Sequence, residues 1–309
     1  MRRKKKNLLL HTLNLQKKYC ERVNFMVLHQ IKFRIKFLFG LIKDRTTKVT
    51  PEEIEAVNKI LNDSMAFLQS TLGFRLNTPE LTLERKNFSH YGELIDDATE
   101  TGGHFNSTKP NGVYVVRGSD YTRGIPHELM HYSIYNMNLN PQHRYFQDVL
   151  RNQNISINMV IQWRLAMISA LEECSCYLFD ALYYEKVTGK KYVLQANENF
   201  ANQDKFAEKF YQSLKAGLPE WSLSAFVMRL ERKYKQNDIK VAITMYLRMI
   251  NAINLLLLDH HKGDIKAAFI DTIDMQKNGI EYISAKLQMY TPEKYANAKM
   301  SSMWSLDDL

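Results

Sequence analysis

Apolar residues recur at helical spacing along most of the chain, and the first such stretch has a clear start. In Thr50-Pro51-Glu52-Glu53, the threonine can cap a helix, the proline suits its first position and Glu53 stands where a capping box needs an acidic residue. Apolar positions then follow at intervals of three and four residues: Ile54, Val57, Ile60, Leu61, Met65 and Leu68. A helix is therefore predicted from residue 51 to about Leu72, covering a sheet.

Three short segments after this helix have the composition of β-strands. The clearest is residues 112–118, where a β-branched and aromatic run stands between two glycines. Residues 81–85 and 103–106 are the other two, and residues 107–112 have the composition of a turn. Together these segments predict a small sheet of about three strands.

The remainder of the chain is predicted to be helical. Residues 138–141 are a cluster of helix breakers that ends one helix, and residues 155–184 then run without glycine or proline in a long helical pattern. Beyond residue 189 helix follows helix, and residues 242–258 are apolar enough for a buried one. The predicted fold class is α+β, with a sheet-containing domain at residues 51–190 and a mainly α-helical C-terminal lobe at residues 191–309.

Positive charge is concentrated ahead of these two regions. Residues 1–50 hold 14 Lys and Arg but only Glu21 and Asp44, a net charge of +12, and residues 31–37 alternate strictly between apolar and basic. One interpretation is an additional element that packs on the domain with its lysines solvated. The other is a basic amphipathic arm that binds an anionic membrane surface or nucleic acid. The sequence does not distinguish a membrane surface from nucleic acid as the partner.

Composition narrows the class of protein. A hydrophobic content of 45% with 24% charged residues is typical of a folded soluble protein, and three cysteines do not imply a disulfide framework. No run of about 18 apolar residues is present, and the N-terminal apolar run is too short for a secretion signal. We therefore expect no transmembrane helix and a cytoplasmic location, with peripheral membrane contact if the basic segment binds lipid.

The candidate chemistry lies in residues 125–132, which contain the pattern His-Glu-x-x-His. His127 and His131 are four apart, so on a helix both rings can reach a single Zn²⁺ ion from one face. Glu128 then lies beside the metal and can take a proton from a zinc-bound water. The alternative is an ordinary helix that carries two surface histidines.

This pattern, with the strand that precedes it, resembles the zincin metallopeptidases over residues 80–185. The resemblance implies zinc-dependent hydrolysis of a peptide or protein substrate, with Glu128 as the catalytic base. It also implies an edge strand that aligns the substrate, formed here by Val113, Tyr114, Val115 and Val116. Because Pro126 directly precedes His127, we expect the helix to begin late or to bend at its entrance.

In the gluzincin group of this family a glutamate on a later helix is the third zinc ligand, and the candidates here are Glu172, Glu173 and His143. Glu172 falls on the apolar seam of the predicted helix, where an ionised carboxylate is costly unless a cation meets it. Glu173 falls on a seam with polar residues. Glu172 is therefore the preferred ligand, with Glu173 and His143 as alternates. The close three-histidine pattern of the metzincins is excluded, since residue 137 is methionine.

Two questions stay open in the sequence. A tyrosine, histidine or arginine usually stabilises the oxyanion in such sites, and nothing selects among His104, Tyr114, Tyr177, Tyr183 and Tyr184. The second question is whether the chain is an enzyme at all. The same fold could be a non-catalytic binding or regulatory module that acts through its basic N-terminal arm.

Overall fold

The computed structural model describes residues 49–84, 103–105, 110–116, 119–144, 159–191, 204–216 and 238–296. All described residues from Ile54 onward belong to one compact unit. Most of the basic segment, residues 1–48, lies outside the described residues, and so do the predictions made for it.

The described elements are mainly helical, with three short strands. The helices are α1 (Pro51–Leu72), α2 (Tyr121–Asn136), α3 (Met159–Thr188), α4 (Asp204–Lys215), α5 (Asp238–His260), α6 (Ile265–Asn278) and α7 (Ile280–Tyr290). The strands are β1 (Glu80–Glu84), β2 (Gly103–Phe105) and β3 (Gly112–Val116), and a 3₁₀ turn at Glu293–Tyr295 follows α7. The α+β prediction is confirmed in this coarse form, a helical chain with one small sheet.

The sheet has the order β1-β3-β2, which places β3 in its centre. β3 pairs with β1 in parallel, Leu81 opposite Val113, and with β2 antiparallel, Gly103 opposite Val115. Both sides of β3 are therefore hydrogen-bonded to other strands. This corrects the expectation that Val113, Tyr114, Val115 and Val116 form a substrate-aligning edge, because β1 and β2 are the outer strands of the part of the sheet that the structure describes.

Helix α1 forms as its sequence predicts. The Thr50 side chain accepts a hydrogen bond from the Glu53 backbone N–H at 3.2 Å, which satisfies one of the free donors at the helix start. Val57, Leu61, Met65 and Leu68 are buried. Their burial confirms the predicted apolar face.

Helix α2, which carries the His-Glu-x-x-His pattern, begins earlier than expected. The Asp120 side chain caps it by accepting from the Thr122 N–H at 3.1 Å, so Pro126 stands inside the helix rather than at its first turn. The predicted late start is wrong, because the capping Asp120 lies seven residues before His127.

The end of α2 has the geometry of a Schellman motif. Asn138 takes a positive φ of 52°, and the Leu139 N–H reaches the Ile134 carbonyl at 2.9 Å. Leu139 and Ile134 are both buried, which is the apolar contact that accompanies this motif. The predicted end of the helix near residue 138 is confirmed.

Helix α3 runs through the middle of the core. Its Phe179 ring packs against Phe67 of α1 at 6.0 Å between ring centroids, and against Phe269 of α6 at 5.7 Å. α3 also packs on α2 and α5. Because one helix contacts elements from both predicted regions, the described residues on either side of residue 190 share one core.

The apolar stretch predicted at residues 242–258 lies within α5. Its Ile250, Ile253 and Leu257 are buried in the shared core. Among the helices that the structure describes, none combines the length and apolar character needed to cross a bilayer.

Candidate metal centre

Helices α2 and α3 bring one carboxylate against both histidines of the pattern. Glu173 Oε2 lies 3.3 Å from His127 Nε2, and Glu173 Oε1 lies 3.5 Å from His131 Nε2. The two rings are 5.2 Å apart between centroids, one helical turn from each other. Three potential ligands thus converge from two helices.

These separations fit a shared zinc ion. Nitrogen and oxygen ligands bind zinc at about 2.0–2.2 Å with tetrahedral angles, which places two such atoms roughly 3.3–3.5 Å apart. The observed distances of 3.3 and 3.5 Å lie in this range. Each histidine thus lies at ligand-to-ligand distance from one oxygen of Glu173, and among the described residues His127, His131 and Cys176 form a group whose ligand atoms all lie within 4.8 Å of one another.

The other nitrogen of each ring is bonded to a second carboxylate on α3. Asp180 Oδ2 lies 3.0 Å from His127 Nδ1, and Glu172 Oε1 lies 2.8 Å from His131 Nδ1. A carboxylate that accepts from Nδ1–H fixes the tautomer and leaves Nε2 as the metal-binding atom. Both histidines are therefore oriented by hydrogen bonds at Nδ1, on the side of the ring opposite the metal-binding Nε2.

The preferred assignment of Glu172 as third ligand needs correction. Its carboxylate accepts from the Nδ1 atoms of His131 and His143, the latter at 2.7 Å, and so faces away from the gap between the Nε2 atoms. His143 also points elsewhere, because its Nε2 lies 3.0 Å from the Ser169 hydroxyl. Of the three candidates, Glu173 is the one at the gap.

A buried hydrogen-bond network extends from Glu172 into the C-terminal helices. Asn140 donates to Glu172 at 3.3 Å and to Gln276 of α6 at 3.2 Å. Gln276 donates to Ser175 at 2.6 Å, and Ser175 donates to Thr272 at 2.8 Å. The partners of this network are far apart in the sequence, so no local pattern indicated it.

Burial and charge act against each other at these side chains. Burial alone would raise the pKa of Glu172, but hydrogen bonds from His131 and His143 bring it down to about 2. Burial alone would lower the pKa of His127, yet the carboxylate of Asp180 raises it well above its usual value. The pKa values of Glu172 and Glu173 are thus lowered beside histidines whose pKa values are raised, whereas burial raises the pKa of Asp180.

Glu128, the expected base, lies beneath the edge strand β2. It is 7% exposed, and burial raises the pKa of its carboxyl, which suits a group that accepts and returns a proton. A Cβ at Gly103 would lie 2.9 Å from Glu128 Cγ and 2.5 Å from the Tyr114 carbonyl oxygen. Glycine in a strand can mark such a close approach.

Cys176 is a further member of the centre that the sequence analysis did not identify as a ligand. Its sulfur and ring nitrogens of His127 and His131 all lie within 4.8 Å of one another. The side chain is fully buried, and this burial raises the pKa of the thiol to about 11. Cys174 lies on another side of α3, where its thiol donates to the Ile250 carbonyl at 3.4 Å.

The described candidates for an oxyanion-stabilising group lie at different distances from the centre. The Tyr177 ring packs edge-on against His127 at 4.9 Å between centroids. The Tyr183 hydroxyl instead contacts the Ile60 carbonyl at 3.5 Å, and the Tyr114 ring lies beside Gly112. The side chain of His104 is outside the description. Of Tyr114, Tyr177 and Tyr183, Tyr177 is thus the candidate whose ring packs directly on a histidine of the centre, and the choice between it and Tyr184 stays open.

No protein-family model matches this chain, and no curated protein or solved structure matches it. Its function is therefore inferred from the residues of the centre.

Proposed function

We propose that this chain is a zinc-dependent metallopeptidase of the zincin type, with His127, His131 and Glu173 as its zinc ligands. The observation that carries the proposal is the Glu173 carboxylate, which lies 3.3 and 3.5 Å from the two Nε2 atoms while separate carboxylates bond both Nδ1 atoms. A helix with two surface histidines would not need three acidic partners on a neighbouring helix.

The roles of the remaining residues follow from their positions. When bound, Zn²⁺ would polarise the scissile carbonyl and make the attacking water more acidic. Glu128 follows the first histidine and is buried beside the centre, so it would accept the proton of that water and would return it to the leaving amine. Burial raises the pKa of Glu128, so its carboxylate takes up a proton more readily than an exposed glutamate would.

An extended peptide is the substrate that the edge strand favours. β2 pairs with β3 on one side only among the described strands, and it contacts Glu128 through Gly103. A peptide added to the outer side of β2 would pair through its backbone and pass next to the base. This role replaces the one expected for β3.

The test of the proposal is the isosteric variant Glu128→Gln. It should bind one zinc per chain like the parent but lose hydrolysis of an unstructured protein such as denatured casein, because the amide cannot accept the proton. Glu55→Gln on the exposed side of α1 is the matched control and should keep both properties. Zinc content measured on purified protein, with release of peptides from the substrate, gives both readouts.

Two outcomes would count against the proposal. Equal hydrolysis by Glu128→Gln and the parent would remove the role assigned to Glu128. Full zinc loading with no hydrolysis by the parent would favour the alternative of a non-catalytic module. The feature that supports this alternative is the Cys176 sulfur near the two histidines, since zinc sites with four protein ligands are commonly structural.

A further inference from the structure

Three side chains on one face of α3 are directed at the histidines. Glu173, Cys176 and Asp180 are spaced by three and four residues, which places them in line along a helix. Glu173 contacts the Nε2 side of both rings and Asp180 contacts the Nδ1 side of His127. Cys176, one turn beyond Glu173, stands between these two acidic residues.

The Cys176 thiol is close enough to share an ion with the histidines. A sulfur bound to zinc at about 2.3 Å and a nitrogen at about 2.0–2.1 Å lie roughly 3.6 Å apart at the tetrahedral angle. The sulfur and the ring nitrogens lie within 4.8 Å of one another, so contraction by about 1 Å around an ion would suffice. A small residue that only allowed the helices to approach would not need a sulfur.

We propose that Cys176 is a fourth ligand of the metal, so that the resting centre has two histidines, one carboxylate and one thiolate. This inference rests on the proposed metal centre. Ligation forms one metal–sulfur bond and releases the thiol proton to solvent. A thiolate favours Zn²⁺ or Co²⁺ over Mg²⁺ and Ca²⁺, which prefer oxygen ligands.

The proposal changes what the resting centre can do. With four protein ligands the metal has no open position, and water enters only as a fifth ligand or in exchange for the sulfur. The resting protein would therefore hydrolyse peptides slowly. Removal of the sulfur should open the centre and make hydrolysis faster, whereas loss of an ordinary ligand would slow it.

Cobalt is the probe for the experiment, since a Co²⁺–thiolate bond produces a charge-transfer absorption in the near ultraviolet. The chain has three cysteines, and each is replaced by serine in turn. The parent, Cys20→Ser and Cys174→Ser should show the band after Co²⁺ loading, and Cys176→Ser should lose it. Cys176→Ser should still bind Co²⁺ with visible d–d absorption, because His127, His131 and Glu173 remain.

The outcomes separate this inference from the proposed function. Co²⁺ binding by the parent without the thiolate band would overturn the role of Cys176 and leave the three-ligand centre intact. No Co²⁺ or Zn²⁺ binding by the parent would overturn the proposed centre itself. Retention of the band in Cys176→Ser with loss in Cys174→Ser or Cys20→Ser would assign the ligand elsewhere. The parent spectrum decides the first two cases even if Cys176→Ser fails to fold.

Discussion

Single substitution of Glu172 or Glu173, the two neighbouring glutamates of α3, tests the assignment of the zinc ligands most directly. In Glu173→Gln the carboxylate that faces both Nε2 atoms becomes an amide of nearly the same shape. In Glu172→Gln the change falls instead on the carboxylate that accepts from the Nδ1 atoms of His131 and His143. We expect the first variant to lose much more zinc affinity than the second.

The magnitudes follow from the two positions. Zinc binding to protein sites is worth about 10–16 kcal/mol, so one of three or four ligands contributes roughly 3–4 kcal/mol, or about 10²–10³ in affinity. Loss of a residue that hydrogen-bonds to a ligand, without binding the metal itself, costs about 10–100-fold in metal affinity. Glu173→Gln should therefore weaken zinc binding by about 10²–10³-fold, and Glu172→Gln by about 10–100-fold.

Zinc affinity can be measured by competition with a coloured chelator at neutral pH. Glu55→Gln serves as the control for a change of charge far from the centre, and far-ultraviolet circular dichroism shows whether each variant is folded. A larger loss in Glu172→Gln than in Glu173→Gln would refute the assignment of Glu173. Equal and small losses in both would show that zinc, where it binds, binds elsewhere.

Two further predictions concern packing and metal-linked stability. Gly103→Ala should destabilise the protein by about 1–3 kcal/mol through overpacking, because its Cβ would meet the Tyr114 carbonyl at 2.5 Å and Glu128 at 2.9 Å. Gly112→Ala is the control and should cost less in thermal unfolding, since the three atoms nearest its Cβ would all belong to the Tyr114 side chain, the closest at 3.3 Å. Zinc at 100 times its Kd should stabilise the fold by about 2.7 kcal/mol, or about 4 °C in Tm at this size, while Mg²⁺ should leave Tm unchanged. An equal effect of both ions in calorimetry would contradict a histidine-containing centre.

Local patterns predicted the elements that carry their own signals. α1 has a cap, a first-turn proline and an apolar face, and its predicted bounds hold. The end of α2 was also readable, because Asn138 is suited to the positive φ that terminates a helix. The start of α2 was predicted too late, because proline is typical of a first helical turn and Pro126 suggested one. Asp120 instead caps the helix, and Pro126 lies inside it.

The third ligand could not be chosen in the same way, and the reason lies in the surroundings of α3. The choice of Glu172 assumed that one seam of the helix was apolar and buried and that the other was less so. In the structure, Ile168 and Phe179 are buried on the first seam and Asp180 is buried on the second. Burial on both seams removes the contrast on which the prediction relied. The central position of β3 was equally unreadable, since strand order depends on pairings between distant segments.

The charge balance at the interface of α2 and α3 favours a divalent cation on grounds independent of any motif. Glu172, Glu173 and Asp180 place three carboxylates against His127 and His131, and of these five side chains Asp180 is buried and the others are partly buried. Burial raises the pKa of Asp180, whereas the histidines lower the pKa of Glu172 and Glu173, so at least these two negative charges lie together in a partly buried site, which is unfavourable unless positive charge accompanies them. Two protons on the rings offset two negative charges, and one divalent ion offsets the same number. The ion has an additional advantage, because each Nδ1–H still donates to its carboxylate while each Nε2 keeps a lone pair for the metal. Binding of the ion would therefore replace protons without breaking the hydrogen bonds that orient the two histidines.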